Sequence, residues 1–213
     1  MLDVHPPHEP VHTWKAFFIH IATIVIGLII AVCLEQAVEY LHHRHQLHHL
    51  RSALAAELKA NSEIVSKNVE AFARMRLKLN RNMELLRAAQ MARAPSVLKL
   101  DYGWSDPFRI QDGTWQTAQK NGSLGLVADE DLRLYSHVYG TMDHFMSALV
   151  ALNDQMEMTA AIARRSPEGS YLPSDVQDLI AATSACDGKL SWAARLLQFE
   201  KEGLSRVDGL LEH

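Results

Sequence analysis

An unbroken apolar stretch near the start of the chain is the strongest feature of its hydrophobic pattern. Residues 16–34 are nineteen positions without a formal charge. At a rise of 1.5 Å per residue, a helix of that length extends roughly 28 Å, about the thickness of the hydrocarbon core of a bilayer. The stretch continues into Glu35 without a signal-peptidase motif, which favours an uncleaved anchor. The pattern predicts an irregular tail over residues 1–13 and a transmembrane helix over residues 14–36.

A helical period of apolar residues continues beyond this anchor. Neither proline nor glycine interrupts residues 28–94, so nothing in the sequence ends the helix at the membrane surface. The repeating face, called the long seam below, consists of Leu47, Leu50, Leu54, Leu58, Asn61, Val65, Val69, Phe72, Met75, Leu79, Met83 and Leu86. Charged residues between these positions, among them Arg51, Glu57 and Lys59, are predicted to face solvent. The pattern predicts a long juxtamembrane helix over residues 37–92.

A connection over residues 93–128 follows, because Pro95 ends the helical pattern. Within this connection, Asp112 is placed to cap a short helix that runs from Trp115 to Lys120. Asn121-Gly122 is placed to end that helix.

Two further amphipathic helices are predicted over residues 129–213. The seam of the first is Tyr135, Val138, Met142, Phe145, Leu149, Leu152 and Met156, and that of the second is Leu190, Ala193, Leu197, Leu204, Val207 and Leu211. No segment alternates as a strand would. The predicted fold class is therefore all-α. We expect one N-terminal transmembrane helix that continues into a long amphipathic helix. We also expect an antiparallel helical bundle of about three long helices plus one short helix.

Composition narrows the classes of function. Removing residues 1–36 from the 213 leaves 177, enough for one ordinary domain. The formal charge of −4 has both signs interspersed, so no basic stripe favours nucleic acid as a partner. The two cysteines, Cys33 and Cys186, are too few for a disulfide framework. The sequence contains no catalytic, phosphate-binding or zinc signature, so we expect no enzymatic activity and no cofactor.

Small residues recur on one face of the anchor. Thr23, Gly27 and Ala31 stand four residues apart, a spacing that lets two membrane helices approach closely, although small residues are also common in unpaired membrane helices. We expect the later helices to leave part of the long seam uncovered, available to a second copy of the chain. The predicted partners are the lipid bilayer, a second copy and an unidentified protein.

A histidine cluster follows the anchor. His42, His45 and His49 lie near one helical face, and imidazole nitrogens at this spacing can bind zinc, copper or nickel. The alternative is a solvated, partly cationic helix surface that contacts anionic lipid headgroups, and the missing second set of ligands favours it.

Trp115, Asn121 and Gly122 form a second candidate site. A short helix between long ones can build a docking surface. The alternative, which we favour, is a plug in which Trp115 fills the open end of the bundle.

Two segments together resemble an uncharacterised family of bacterial single-pass membrane proteins. The first is IVIGLIIAVCLEQ, residues 24–36, and the second is GTWQTAQKNGSLGLVADEDLRLYSHVYG, residues 113–140. The residues that carry the resemblance are Thr114-Trp115, Asn121-Gly122-Ser123-Leu124, Leu126-Val127, Tyr135 and Tyr139. The resemblance implies a location in the bacterial inner membrane and the architecture above, with no catalytic residues.

The chain departs from that family on both sides of the anchor. Family members have a basic tail before the anchor and a tryptophan-containing segment after it, whereas this chain has Lys15 before it and the histidine cluster after it. Arg44 and Arg51 follow the anchor, so positive charge predicts a cytoplasmic C-terminal domain, while the family pattern predicts the opposite.

These features rank three functions. The first is a non-enzymatic, membrane-anchored helical scaffold or interaction protein that self-associates. The second is a juxtamembrane sensor of pH or metal, since histidine changes charge in the physiological range. A bundle-type metalloenzyme ranks last, because the Glu-x-x-His spacings, Glu9 to His12 and Glu39 to His42, lie outside the predicted bundle.

Overall fold

The computed structural model describes residues 14–103, 107–166 and 168–211, and it describes side chains in the last helix as far as Val207. The elements in chain order are α1 (Trp14–Ala92), β1 (Ser96–Val97), α2 (Gly113–Asn121), a 3-10 helix (Ser123–Leu126), α3 (Asp129–Ala163), β2 (Ser170–Tyr171) and α4 (Pro173–Leu211). The all-α prediction with a long N-terminal apolar helix is confirmed. The tail predicted over residues 1–13 lies outside the described residues.

Contacts between Cα atoms divide the chain into two compact units, Met1–His49 and Leu50–His213. In the described part of the first unit, every residue from 17 to 46 is exposed. This part of α1 is long and apolar enough to cross a membrane.

The second unit is a helical bundle formed by the later part of α1 with α3 and α4. The seam residues of α1 and α3 interlock, and the rings of Phe72 and Phe145 lie 6.2 Å apart between centroids. Leu54, Leu86 and Phe145 have no exposed surface at all. Burial of this kind contributes roughly 1.5–3 kcal/mol for each large apolar side chain.

The first two long helices of the bundle run parallel, which differs from the predicted antiparallel order. Contacts advance along both helices together, from Arg51–Asp131 through Glu57–Tyr139 to Asn61–Met142. For α1 and α3 to run parallel, the chain must return between them to the end of the bundle at which α1 enters. The connection makes this return.

The last two helices, α3 and α4, are antiparallel as predicted. Val138 near the start of α3 lies against Gly203 near the end of α4, and Thr159 contacts Cys186. A Cβ atom on Gly203 would lie 3.2 Å from Cγ2 of Val138, so glycine permits this close approach. The same glycine weakened the helical pattern of α4 in the sequence.

The long seam is covered by the protein itself, so the expectation of an uncovered stretch was wrong. From Leu50 to Leu86 its members are buried or nearly so, and Val69, with 44% of its surface exposed, is the exception. Helix α3 covers part of the seam, with Phe145 against Phe72. The connection, which was not counted as a cover, also packs along α1 and binds the seam residue Asn61.

Three asparagines of α1 hold the connection. The Asn61 side chain donates from Nδ2 to the carbonyl of Gln111 (2.7 Å) and accepts its N–H at Oδ1 (2.8 Å). The Asn68 side chain donates to the carbonyl of Phe108 and accepts its N–H, both at 2.8 Å. The Asn82 side chain binds those of Asp101 at 2.8 and 2.9 Å. Each amide therefore satisfies one donor and one acceptor of a chain segment, as a neighbouring strand would.

The spacing of these pairs shows why they fit. Asn61 and Asn68 are seven residues apart, about 10.5 Å along a helix, and Phe108 and Gln111 are three apart, about 10 Å in an extended chain. Asn82 lies about 21 Å further along the helix, within reach of the seven residues that separate Asp101 from Phe108. The numbering falls in the connection as it rises in α1, so the connection runs antiparallel to the helix.

A two-strand pairing, which periodicity did not predict, joins the connection to the loop between α3 and α4. Ser96 pairs with Tyr171 and Val97 with Ser170, in antiparallel register. Gly169 has φ of +72°, and a Cβ there would lie 2.8 Å from the carbonyl oxygen of Leu98, so this position requires glycine. Strands of two residues are too short to show alternation.

Replacing Asn68 by alanine should destabilise the protein by about 2–4 kcal/mol, because two partly buried peptide groups of Phe108 lose their partner. The measurement is urea unfolding of the full chain in detergent, followed by circular dichroism. Asn80, an exposed asparagine of the same helix, is the matched control. Asn80→Ala should change stability by less than about 0.7 kcal/mol, the difference in helix propensity. Equal effects of the two substitutions would show that the Asn68 hydrogen bonds do not hold the connection.

Candidate functional site

The most elaborate polar site in the bundle is built around Glu57 of α1. Its carboxylate accepts the backbone N–H of Thr114 at 2.7 Å, and that of Trp115 at a longer 3.4 Å. It also accepts the hydroxyl proton of Tyr139 at 2.7 Å. Glu57 is 8% exposed, so the prediction that it faces solvent was wrong.

Glu57 supplies the cap of α2 that the sequence assigned to Asp112. The side chain of Asp112 makes no cap hydrogen bond, and its Oδ2 accepts the side-chain amide of Gln116 instead, at 2.6 Å. A carboxylate at a helix start satisfies free N–H groups and interacts favourably with the helix dipole. Glu57 follows Leu54 by three residues and precedes Asn61 by four, so it lies at the edge of the buried face. This spacing was the signal in the sequence that Glu57 is buried.

Trp115 and Tyr139 stack beside this carboxylate. Their ring centroids are 4.7 Å apart and their planes differ by 7°. Burial, followed by the hydrogen bond to Glu57 and its charge, raises the pKa of Tyr139 well above its ordinary value. Tyr139 is therefore a proton donor to Glu57, and both carboxylate oxygens of Glu57 are engaged by neighbours. The arrangement is a structural clamp that fixes α2 between α1 and α3.

An open cleft of about 390 Å³ is lined in part by Trp115 and Tyr139. Its lining includes Asp112, Gln116, Lys120, Ser136 and Asp143 in addition to the two rings. Trp115 is 7% exposed and contacts α3, whereas Asn121 and Gly122 are exposed. Gly122 ends α2 with φ of +76°, and Asn121 accepts the N–H of Ser123. The structure thus separates the buried Trp115 from the exposed Asn121-Gly122 turn.

The histidine cluster lies in the first unit, on exposed turns of α1. Nε2 of His45 is 3.0 Å from Nε2 of His49, and His42 contacts the amide of Gln46 at 2.9 Å. The structure therefore brings two of the three candidate ligands together and leaves His42 with a different neighbour. Among the described residues, no group of three or more His, Cys, Asp or Glu side chains has the geometry of a metal site.

The small-residue stripe of the anchor is accessible. The Thr23 hydroxyl donates to the carbonyl of Ile19 at 2.9 Å, which satisfies it within the helix. A Cβ on Gly27 would meet nothing within 4 Å. The face that contains Thr23, Gly27 and Ala31 is exposed along its length.

Glu200 of α4 has a buried carboxyl group, and the predicted seam of this helix did not include it. It is 1% exposed, and neither carboxyl oxygen has a hydrogen-bond partner among the described residues. Burial alone raises the pKa of Glu200 to about 8, so the group is largely protonated at neutral pH.

No protein-family model matches the chain, and no curated protein or solved structure matches it either. The resemblance to the bacterial membrane family therefore remains an expectation from the sequence.

Replacing Tyr139 by phenylalanine should cost about 1.5–3 kcal/mol, the range for a hydrogen bond to a charged group. Glu57→Gln should cost a similar amount, and the double variant should cost less than the sum of the two. The measurement is a double-mutant cycle by urea unfolding. Tyr135→Phe is the control, because Tyr135 is also buried but its hydroxyl has no hydrogen-bond partner among the described residues, and it should cost under about 0.5 kcal/mol. Strict additivity of Tyr139→Phe and Glu57→Gln would contradict the clamp.

Replacing Glu200 by glutamine should stabilise the protein increasingly as pH rises. The folded pKa of about 8 exceeds the ordinary value of 4.5, so wild-type stability is full below pH 4.5 and is lost as pH rises through 8. Glutamine does not titrate, and the advantage of the variant should grow by up to about 1.4 kcal/mol per pH unit within that window. Unfolding both proteins at several pH values measures this difference. An advantage that is constant from pH 5 to pH 8.5 would show that Glu200 ionises freely in the folded protein.

Proposed function

We propose that this protein is a non-enzymatic, membrane-anchored helical interaction protein that self-associates through its anchor. The observation that carries the proposal is the extent of α1, a single helix from Trp14 to Ala92. Its early part is apolar and exposed on all sides, and its later part buries one face in a bundle. An exposed apolar surface around a whole helix is stable in lipid and unfavourable in water.

In this proposal the apolar part of α1 lies in a membrane, and the resemblance described above supports the bacterial inner membrane. Lys15 precedes the apolar run, while Arg44 and Arg51 follow it, so the distribution of positive charge favours a cytoplasmic location for the bundle. Arg51 also forms an ion pair with Asp131 at 2.8 Å.

The bundle supports a binding role more than a chemical one. Its most elaborate polar site, around Glu57, has its carboxylate engaged in holding α2. Another protein would bind to the helices of the bundle, which hydrogen-bonded connections fix to one another.

The anchor supports self-association. The face of Thr23, Gly27 and Ala31 is exposed, and the Thr23 hydroxyl is satisfied within its own helix. A second anchor can therefore pack there through close backbone contact without leaving a polar group unpaired.

Membrane fractions that contain the protein should retain it after washing with high salt or at alkaline pH. The apolar run is inserted in the lipid core in this proposal, so neither screening of charge nor deprotonation removes it. Immunoblotting of the pellet and supernatant measures retention, with a peripheral membrane protein as the control that is released. Release of the full chain by salt alone would exclude the transmembrane anchor.

Gly27→Ile should convert a self-associated protein into a monomer in detergent, because the added side chain holds two anchors apart. Sedimentation equilibrium at micromolar concentration gives the mass. Ala22→Ile adds bulk on the opposite side of the same helix, and this matched control should keep the wild-type mass. A monomeric wild type, or equal masses for wild type and Gly27→Ile, would remove self-association from the proposal.

A further inference from the structure

The two histidines that contact each other, His45 and His49, form a candidate metal-binding pair that is independent of the bundle. They are one helical turn apart on α1, both are exposed, and their Nε2 atoms lie 3.0 Å apart. Their rings are nearly perpendicular, at 82°, with centroids 4.3 Å apart.

The distance between the nitrogens allows both to bind one ion. Imidazole nitrogens bind divalent metals at about 2.0–2.1 Å. Two nitrogens about 3.0 Å apart can therefore occupy adjacent positions of a square or tetragonal ion, at an N–metal–N angle of about 90–97°. Small rotations of the exposed rings would also allow a tetrahedral ion. Cu²⁺ is the best candidate because it binds nitrogen ligands most tightly among the divalent first-row metals.

We infer that His45 and His49 bind one Cu²⁺ ion as a two-nitrogen chelate, with water in the remaining positions. The present hydrogen bond needs a proton on one Nε2, and moving that proton to Nδ1 frees both Nε2 lone pairs. A small rotation of each exposed ring then directs both lone pairs to one ion, and exposed side chains change rotamer on the picosecond to nanosecond timescale. The helix fixes the spacing, so the second nitrogen binds at high effective concentration.

The neighbouring histidines provide matched controls. His43 and His48 belong to the same cluster and are exposed, but within the described part of the chain neither is hydrogen-bonded to another ring nitrogen. If the cluster bound metal merely as a concentration of imidazoles, every member would contribute equally.

The test is a titration of the full chain in detergent with Cu²⁺ alone, purified without a histidine tag and followed by electron paramagnetic resonance. His45→Gln and His49→Gln should each weaken the tightest cluster site by about tenfold or more, and His43→Gln and His48→Gln should not. Because histidines elsewhere in the chain also bind copper, the signal of the pair is the difference between wild type and His45→Gln. That difference spectrum should be axial, with the superhyperfine pattern of two equivalent nitrogen nuclei.

Equal losses for all four variants, or a difference spectrum with one nitrogen ligand, would overturn the assignment. Retention of the two-nitrogen signal in His45→Gln would also overturn it, because the chelate would then lie elsewhere.

Discussion

Peptide groups that are partly removed from water need hydrogen-bond partners, and this requirement governs the connection between α1 and α2. After Leu98 the connection belongs to no helix or strand in the described residues, yet it packs along α1. Asn61, Asn68 and Asn82 replace the missing strand by offering one donor and one acceptor each. Because the connection returns along α1 in this way, α3 can begin beside the early part of the bundle and run parallel to α1. Glu57 completes the series by capping α2.

In the proposed function, the same helix meets two different solvents along its length. In the anchor, α1 is apolar on every side, as lipid requires, and in the bundle it is apolar on one face with polar residues at selected buried positions. Each buried polar group of α1 named above has its partner in a different segment of the chain. Glu200 of α4 contrasts with them, because it is buried without a hydrogen-bond partner among the described residues and therefore carries its proton at neutral pH.

Periodicity predicted the helices well and the polar contacts poorly. The steps of three and four located the long seam, and the buried residues of α1 and α3 follow it. Such a pattern treats a polar residue as exposed, so the burial of Glu57, Asn68 and Asn82 was not predicted. Asn61 was the polar residue that the pattern placed inside the seam. The backbone partners of these residues lie 19 to 58 residues away, as with Asn82–Asp101 and Glu57–Trp115, and backbone groups leave no trace in the pattern of side chains. Glu57 also binds the side-chain hydroxyl of Tyr139. The parallel order of α1 and α3 depends on these contacts, so it could not be predicted either. The nearness of His45 and His49 was visible in the spacing, but the spacing did not show that their Nε2 atoms meet at 3.0 Å while His42 contacts Gln46.

Hydrogen–deuterium exchange at single-residue resolution tests the role of the asparagines most directly. The N–H groups of Asp101, Phe108 and Gln111 bind asparagine oxygens, whereas the N–H of neighbouring Arg109 has no hydrogen-bond partner among the described residues. The account predicts that Phe108 and Gln111 exchange as slowly as the amides of the bundle helices, while Arg109 exchanges much faster. Uniformly fast exchange across residues 108–111 would contradict it, because the connection would then not be held by α1.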